Sequence, residues 1–274
     1  MRPIGVRVRP GVLCGALAAA FASAAVTTAP LAAETANQTK EQPQFGWREM
    51  WGGADATKDV WLLYTGVTLA PLSKDIYSDG LRLRMTSGYG QYSYNGNILD
   101  CSKSGGRREF CTKPAHRFKV DIAYTDVLVG YHMRLGELTA KAFAGASMIS
   151  HSPSAFDATS RVSGLEYGAT GALEFWLNLG GQAWSSLDLS YTTAHETAAA
   201  RWRAGWRVLP TLSVGPEARF DRNIEDGSAR AGIFVRYDWF GGEVSAAAGI
   251  AGSTTGKLTD ELAPYATLNM LTQF

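Results

Sequence analysis

Beyond its first 33 residues the sequence has no long hydrophobic run. The longest nearly apolar stretch there, Val244 to Gly252, falls far short of the ~20 residues a transmembrane helix needs, which excludes a helical membrane protein. It also lacks an excess of either charge: 26 basic groups face 25 acidic ones and no basic stripe stands out, which argues against a nucleic-acid binder. Nor is it poor in apolar residues. With 46% hydrophobic and 11% aromatic residues it is not a disordered chain. What remains is one folded unit, long enough for a sizeable core or a barrel.

Residues 1–33 read as a cleavable signal peptide. Arg2, Arg7 and Arg9 form a basic start, Val12 to Val26 an apolar and small-residue centre, and Leu31-Ala32-Ala33 a cleavage site. Ser23, Thr27, Thr28 and Pro30 interrupt the apolar run, against an uncleaved anchor. Removing those three arginines leaves 23 basic groups against 25 acidic ones, a net charge of −2. Residues 34–44 then form a short periplasmic segment and 45–274 the folded domain.

Cysteine is scarce, and its use fits export. Of three cysteines, Cys14 lies inside the signal and follows Leu13, which does not suit a lipoprotein acceptor. Cys101 and Cys111 remain, nine residues apart around a loop-like KSGGRREF, and in an oxidising compartment they can close a disulfide. A metal site there would need more partners than His116. The sequence implies no metal and no cofactor.

What the sequence does have, past Gly53, is alternation. From Leu165 to Leu179 one face carries Leu165, Tyr167, Leu173, Phe175, Leu177 and Leu179, and the other Glu166, Thr170, Glu174 and Asn178. Period two is the strand signal. Arg201 to Val208 and Ala229 to Trp239 repeat it. About eleven strands follow, near 60–70, 80–94, 117–134, 138–149, 162–179, 183–193, 201–209, 211–220, 229–240, 243–252 and 265–274. Tight links at 135–137, 180–181, 209–210 and 241–242 alternate with longer polar ones at 95–116, 150–161, 194–200, 221–228 and 253–264, the asymmetry of a transmembrane barrel with short periplasmic turns.

A soluble sandwich or lipocalin-like barrel also alternates. Three features favour the membrane: strands long enough for the ~9 to 11 residues of a tilted crossing, charges deep within strands, and Tyr167 and Phe175 eight residues apart on the apolar face, spanning roughly 20 Å like two aromatic girdles. The final YATLNMLTQF adds a fourth. It sets Ala266, Leu268, Met270, Thr272 and Phe274 on one face, and a terminal aromatic on such a strand resembles an assembly signal of outer-membrane barrels. Even strand number requires one earlier strand, and FGWREMWGG, 45–53, is the candidate. The expected fold is therefore all-β: an antiparallel up-and-down transmembrane barrel of about twelve strands, with ten as the smaller alternative.

The face turned to the lumen carries Arg82, Arg84, Glu166, Glu174, Asp188, Arg203, Arg207, Glu217, Arg219, Arg230, Arg236 and Asp238, together with Glu243 and Lys119. Mixed signs read as a salt-bridged network that fills much of the channel, or as a polar path for a hydroxyl-rich solute; pairing of buried charge favours the network. Catalysis has thinner support. His132 lies near a tight turn, while His151 with Ser152 and His195 with Glu196 begin external loops where a rim site could form, but no G-x-S-x-G motif accompanies them. The 95–116 loop gathers Lys103, Arg107, Arg108, Lys113 and His116, which suits an anionic polysaccharide or lipopolysaccharide and equally a solvated loop.

A resemblance adds to this reading. YTGVTLAPLSKDIYSDGLRLRMTSGYGQYSY, 64–94, resembles the first hairpin of the bacterial cellulose biosynthesis protein BcsS family, with Asp79-Gly80, Arg82-Leu83-Arg84 and Gly88-Tyr89-Gly90-Gln91-Tyr92 in the matching places. DVLVGYHMRLGELTAKAFAGA and SVGPEARFDRN, with Gly215-Pro216-Glu217, are similar to its later strands, so the likeness spans roughly 45–274. It implies a non-catalytic outer-membrane accessory protein of a Gram-negative bacterium, acting in cellulose synthesis, export or surface attachment and carrying no catalytic residues over. The expected partners are outer-membrane lipids, the barrel assembly machinery and cellulose or other cellulose-secretion components. The alternatives are a lipid A or phospholipid hydrolase or acyltransferase with a rim histidine, and a small general porin.

Overall fold

Alternating side chains can bury one face only if the sheet curls on itself, and it does. The computed structural model describes residues 46–97, 100–102, 110–112, 115–156, 160–225, 227–254 and 262–274. The expected signal peptide and the 34–44 segment lie outside them. Twelve antiparallel strands form a closed barrel: β1 (Arg48–Thr57), β2 (Val60–Leu69), β3 (Gly80–Asn97), β6 (Ala115–Leu135), β7 (Leu138–Pro153), β8 (Gly164–Leu179), β9 (Ala183–Thr192), β10 (Thr197–Leu209), β11 (Leu212–Arg222), β12 (Gly227–Trp239), β13 (Gly242–Ser253) and β14 (Ala263–Gln273). Two three-residue strands, β4 (Asp100–Ser102) and β5 (Phe110–Thr112), pair separately within the β3–β6 link. The weakly patterned 45–53 segment is the missing strand. It pairs with β2 on one side and closes the barrel against β14 on the other, from Glu49↔Gln273 to Thr57↔Tyr265. Closure leaves no strand edge unpaired.

The outward face is apolar. Leu63, Val127, Tyr131, Ile233 and Leu268 are each about half exposed or more, which a water-soluble barrel would not tolerate over a continuous wall. Trp61, Tyr89, Tyr167, Tyr191 and Phe220 lie outward near one end, and Tyr131, Trp206, Tyr237 and Trp239 near the other. Two aromatic girdles around an apolar band are the signature of a membrane-spanning barrel. Among the described residues no helix is long and apolar enough to cross a membrane; the strands cross it.

The tight turns gather at one end, with Gly136 and Gly180 supplying positive φ of 63° and 71° that a side chain would resist. The expected strict alternation of short and long links does not hold. At the turn end the β2–β3 link, Ala70–Asp79, is long, and at the loop end the β1–β2 link is only Lys58–Asp59. The reason is packing: the long link folds into the barrel mouth and buries Ile76 and Tyr77 against Ala70, while Tyr77 accepts a hydrogen bond from Gln273 Nε2. Burial and the nearby Glu49 hold the Tyr77 phenol well above its usual range, so it stays neutral there.

Aromatic rings on the inner wall lie over glycines of the adjacent strand. A Cβ at Gly205 would stand 2.2 Å from the Trp184 ring, one at Gly66 2.2 Å from Trp51, and one at Gly88 2.2 Å from Tyr124. The glycines in strands thus make slots that let large rings lie flat in a narrow lumen. Gly205→Val is expected to expel Trp184 and destabilise the barrel by about 1–3 kcal/mol, the usual scale of overpacking. Urea unfolding of the refolded protein, read by the heat-sensitive gel shift of folded barrels, checks this; an unchanged midpoint would refute the slot.

Candidate functional site: the barrel interior and its loop-end mouth

The twelve charged residues named from the sequence lie on the inward phase of their strands, Glu166 at the half-exposed rim, and several of them are paired. Asp55 of β1, absent from the expected set, is the hub: it accepts hydrogen bonds from Arg219 Nη1 at 2.9 Å and from Arg230 Nη1 at 2.8 Å. Because β1 and β11–β12 are not neighbours in the barrel, this contact crosses the lumen. Asp221 joins it through Arg219 Nε at 2.9 Å. A second crossing links Arg84 of β3 to Glu174 of β8, with Lys141 of β7 at 3.4 Å from the same carboxylate. Arg201 pairs with Glu217 at 2.5 Å, and Arg236 pairs with Glu243 at 2.7 Å and Asp238 at 2.8 Å.

Aromatic faces fill the space between these pairs. Arg84 lies 3.8 Å from the Phe143 ring centre, Arg236 4.7 Å from Trp176, and Arg203 5.5 Å from Phe234. Trp176 and Trp184 stack at 4.2 Å. A guanidinium on an aromatic face keeps a favourable contact where water is excluded. Water is excluded here: Arg82 is 1% exposed and Arg203, Arg236 and Glu217 each 2%, values that residues lining a wide aqueous channel would not have. The interior is packed with side chains rather than left as an open path.

Two placements differ from expectation, those of Lys119 and of the Cys-containing loop. Lys119 is not lumenal: inward positions of β6 are even-numbered, so Phe118, Val120, Ile122 and Tyr124 face in and Lys119 faces out. Its charge suggested the polar face, but near the loop end the lumen is lined by rings and aliphatic groups. The Cys-containing loop holds the β4–β5 hairpin, in which Cys101 stands directly opposite Cys111 in the backbone register. The loop cations Lys103, Arg107, Arg108 and Lys113 lie outside the described residues. His132 is buried at the turn end, where Arg82 Nη2 is 3.0 Å from its Nδ1 and 2.6 Å from the Ile76 carbonyl.

The loop-end histidines converge although 44 positions separate them in sequence. His151 on β7 and His195 in a 3-10 turn, Ala194–Glu196, meet edge to face with ring centres 4.8 Å apart. His195 Nδ1 is 2.9 Å from Glu166 Oε2, and the Tyr92 hydroxyl lies 3.2 Å from His151 Nδ1. Sequence reasoning named Glu166 and both histidines but missed Tyr92; its inward phase in G-Y-G-Q-Y was the available signal. Among the described residues no group of three His, Cys, Asp or Glu side chains converges as a metal site.

The Glu174–Asp188 pair tests the network. They are register partners on β8 and β9, yet Glu174 holds two cations whereas neither oxygen of Asp188 accepts a hydrogen bond. Glu174→Gln strands two buried cations and is expected to cost about 3–5 kcal/mol. Asp188→Asn removes a like-charge neighbour and is expected to be neutral or to stabilise by about 0.2–1 kcal/mol. Parallel urea titrations of the two variants decide it, and equal losses would refute this division of roles.

The chain is similar in fold to solved membrane barrels. The KdgM porin aligns over 82% of this chain and 99% of its own, with 8% identity and a TM-score of 0.46. Omp33 of Acinetobacter baumannii aligns over 85% and 100% with 13% identity and a TM-score of 0.40. The translocator domain of the autotransporter NalP from Neisseria meningitidis aligns over 83% and 87% with 10% identity and a TM-score of 0.42. No curated protein matches the chain. A family model described as cellulose biosynthesis protein BcsS matches residues 50–274, and the chain belongs to that family.

Proposed function

We propose that this protein is a non-catalytic accessory component of cellulose synthesis, export or surface attachment, seated in the outer membrane of a Gram-negative bacterium with its tight turns in the periplasm and its long loops outside. Family membership supplies the pathway. The observation that carries the accessory role is the filled lumen: charged and aromatic side chains buried at mid-depth leave the barrel as a structural body whose contacts are made by its ends and loops. A general porin would need a wide aqueous lumen instead.

The remaining assignments follow from this seat. The outward apolar band meets outer-membrane lipid. Phe274 ends β14 facing outward, its backbone N–H bonded to the Arg48 carbonyl at 3.1 Å, where an assembly machine can read the terminal strand. Cys101 and Cys111 form a disulfide that staples the external hairpin, as their opposed register and the oxidising compartment favour. Cellulose or other secretion components meet the protein at its loops or its periplasmic rim.

The rim-hydrolase reading has one observation in its favour, the Glu166–His195 pair beside His151. The two readings separate cleanly. Deleting the gene is expected to lower extracellular cellulose or its retention on cells, and unchanged amount and adhesion would overturn the accessory role. The purified barrel in a planar bilayer is expected to give no open-porin conductance. Altered lipid A or lyso-lipid on overproduction, lost in a His151→Gln/His195→Gln variant, would instead establish the hydrolase.

A further inference from the structure

The β9–β10 link does something a simple loop does not. Its 3-10 turn dips into the mouth, so that Ala194 is fully buried in the cluster that includes Tyr92, Phe118 and Ile149. His195 and Glu196 both hold left-handed backbone, φ 49° and 48°, which non-glycine residues adopt only when their surroundings enforce it. The enforcing contacts are few. Thr193 exchanges hydrogen bonds with the Ala169 backbone at 2.9 Å, the His195 carbonyl accepts from Ile224 N–H at 3.0 Å, and Glu166 holds the His195 ring. Nε2 of His195 is buried without a hydrogen-bond partner.

We infer that this turn is a proton-operated latch over the external mouth: closed while His151 and His195 are neutral, and driven outward when both rings take up protons. The first proton is shared with Glu166, which is half-exposed and connects the pair to solvent. A second proton sets two cationic imidazoles face to edge at 4.8 Å, with a carboxylate against His195 alone. The other titratable groups facing the pair are the Tyr92 hydroxyl on β3 and, more distantly, Glu225 in the β11–β12 link, whose carboxylate accepts the Arg161 backbone N–H. Neither offsets the second charge at contact. Opening relieves both left-handed residues and uncovers the stacked rings of Tyr92, Tyr94 and Phe118, spaced at 6.3 and 5.0 Å.

The direction with pH follows from burial, which holds His195 below the ordinary imidazole range while Glu166 pulls it up less strongly. The closed state is therefore fully favoured above the unperturbed histidine pKa of about 6.5 and loses ground as pH falls below it. Hydrogen exchange on the refolded full barrel, corrected for the intrinsic rate at each pH, reads the latch. The 192–197 amides are expected to exchange about tenfold faster at about pH 5 than at pH 7.5, while β12 and β13 stay protected. His151→Gln/His195→Gln removes the pH dependence. Glu166→Gln, which keeps both rings but removes the carboxylate that holds a protonated His195 in the closed turn, moves the opening midpoint to higher pH. Equal protection at both pH values, opening in parallel with β12 and β13, acid opening retained without the histidines, or an unmoved midpoint in Glu166→Gln each overturns the latch.

Discussion

The constraint on which the structure depends is that most of the charge buried in the lumen is held by counter-charge from other strands, in part from strands that are not neighbours in the wall. Asp55 is the clearest case, since the guanidiniums it holds come from β12 and β11, three and four strands round the wall from β1. Such a contact fixes cross-section as well as local pairing, because neither partner can be satisfied unless the wall is closed at the right diameter. Arg84 and Glu174 do the same between β3 and β8, also three strands apart.

The aromatic content follows from that constraint. Ion pairs alone leave gaps, and gaps in a buried polar interior forfeit contacts and admit stray water. Trp176, Trp184, Phe143 and Phe234 fill them and present their faces to the same guanidiniums. The rings in turn need room, which the neighbouring glycines supply. Arginine, aromatic ring and glycine slot therefore form one unit, repeated around the wall. A barrel filled this way is stiff in the middle, so adaptable surface is left at the ends, where Ala70–Asp79 folds into one mouth and the Ala194–Glu196 turn into the other.

The two mouths differ in chemistry. At the turn end Tyr77 and His132 sit beside Arg82 and Gln273, a mixed polar cap. At the loop end the inner wall of β3 and β6 is apolar and aromatic, and Tyr92, His151, His195 and Glu166 form a small polar chain beside it.

By itself the sequence determined the wall. Period-two alternation assigns the side chains of each strand to an outward or an inward face, because a strand has only two faces and a membrane punishes the wrong one. Parity favoured twelve strands over ten, and the closed barrel has twelve. The tertiary structure decided what lies across the lumen from what. Asp55 was invisible in a weakly patterned strand, Lys119 was drawn inward by its charge although the phase of β6 turns it out, and a long link was hidden inside a mouth where only short turns were expected. The histidines were legible one at a time, but their meeting depends on β7 and the β9–β10 turn being curled around the same mouth. Alternation is local and is written residue by residue; contact across a barrel depends on closure, and closure is a property of all twelve strands together.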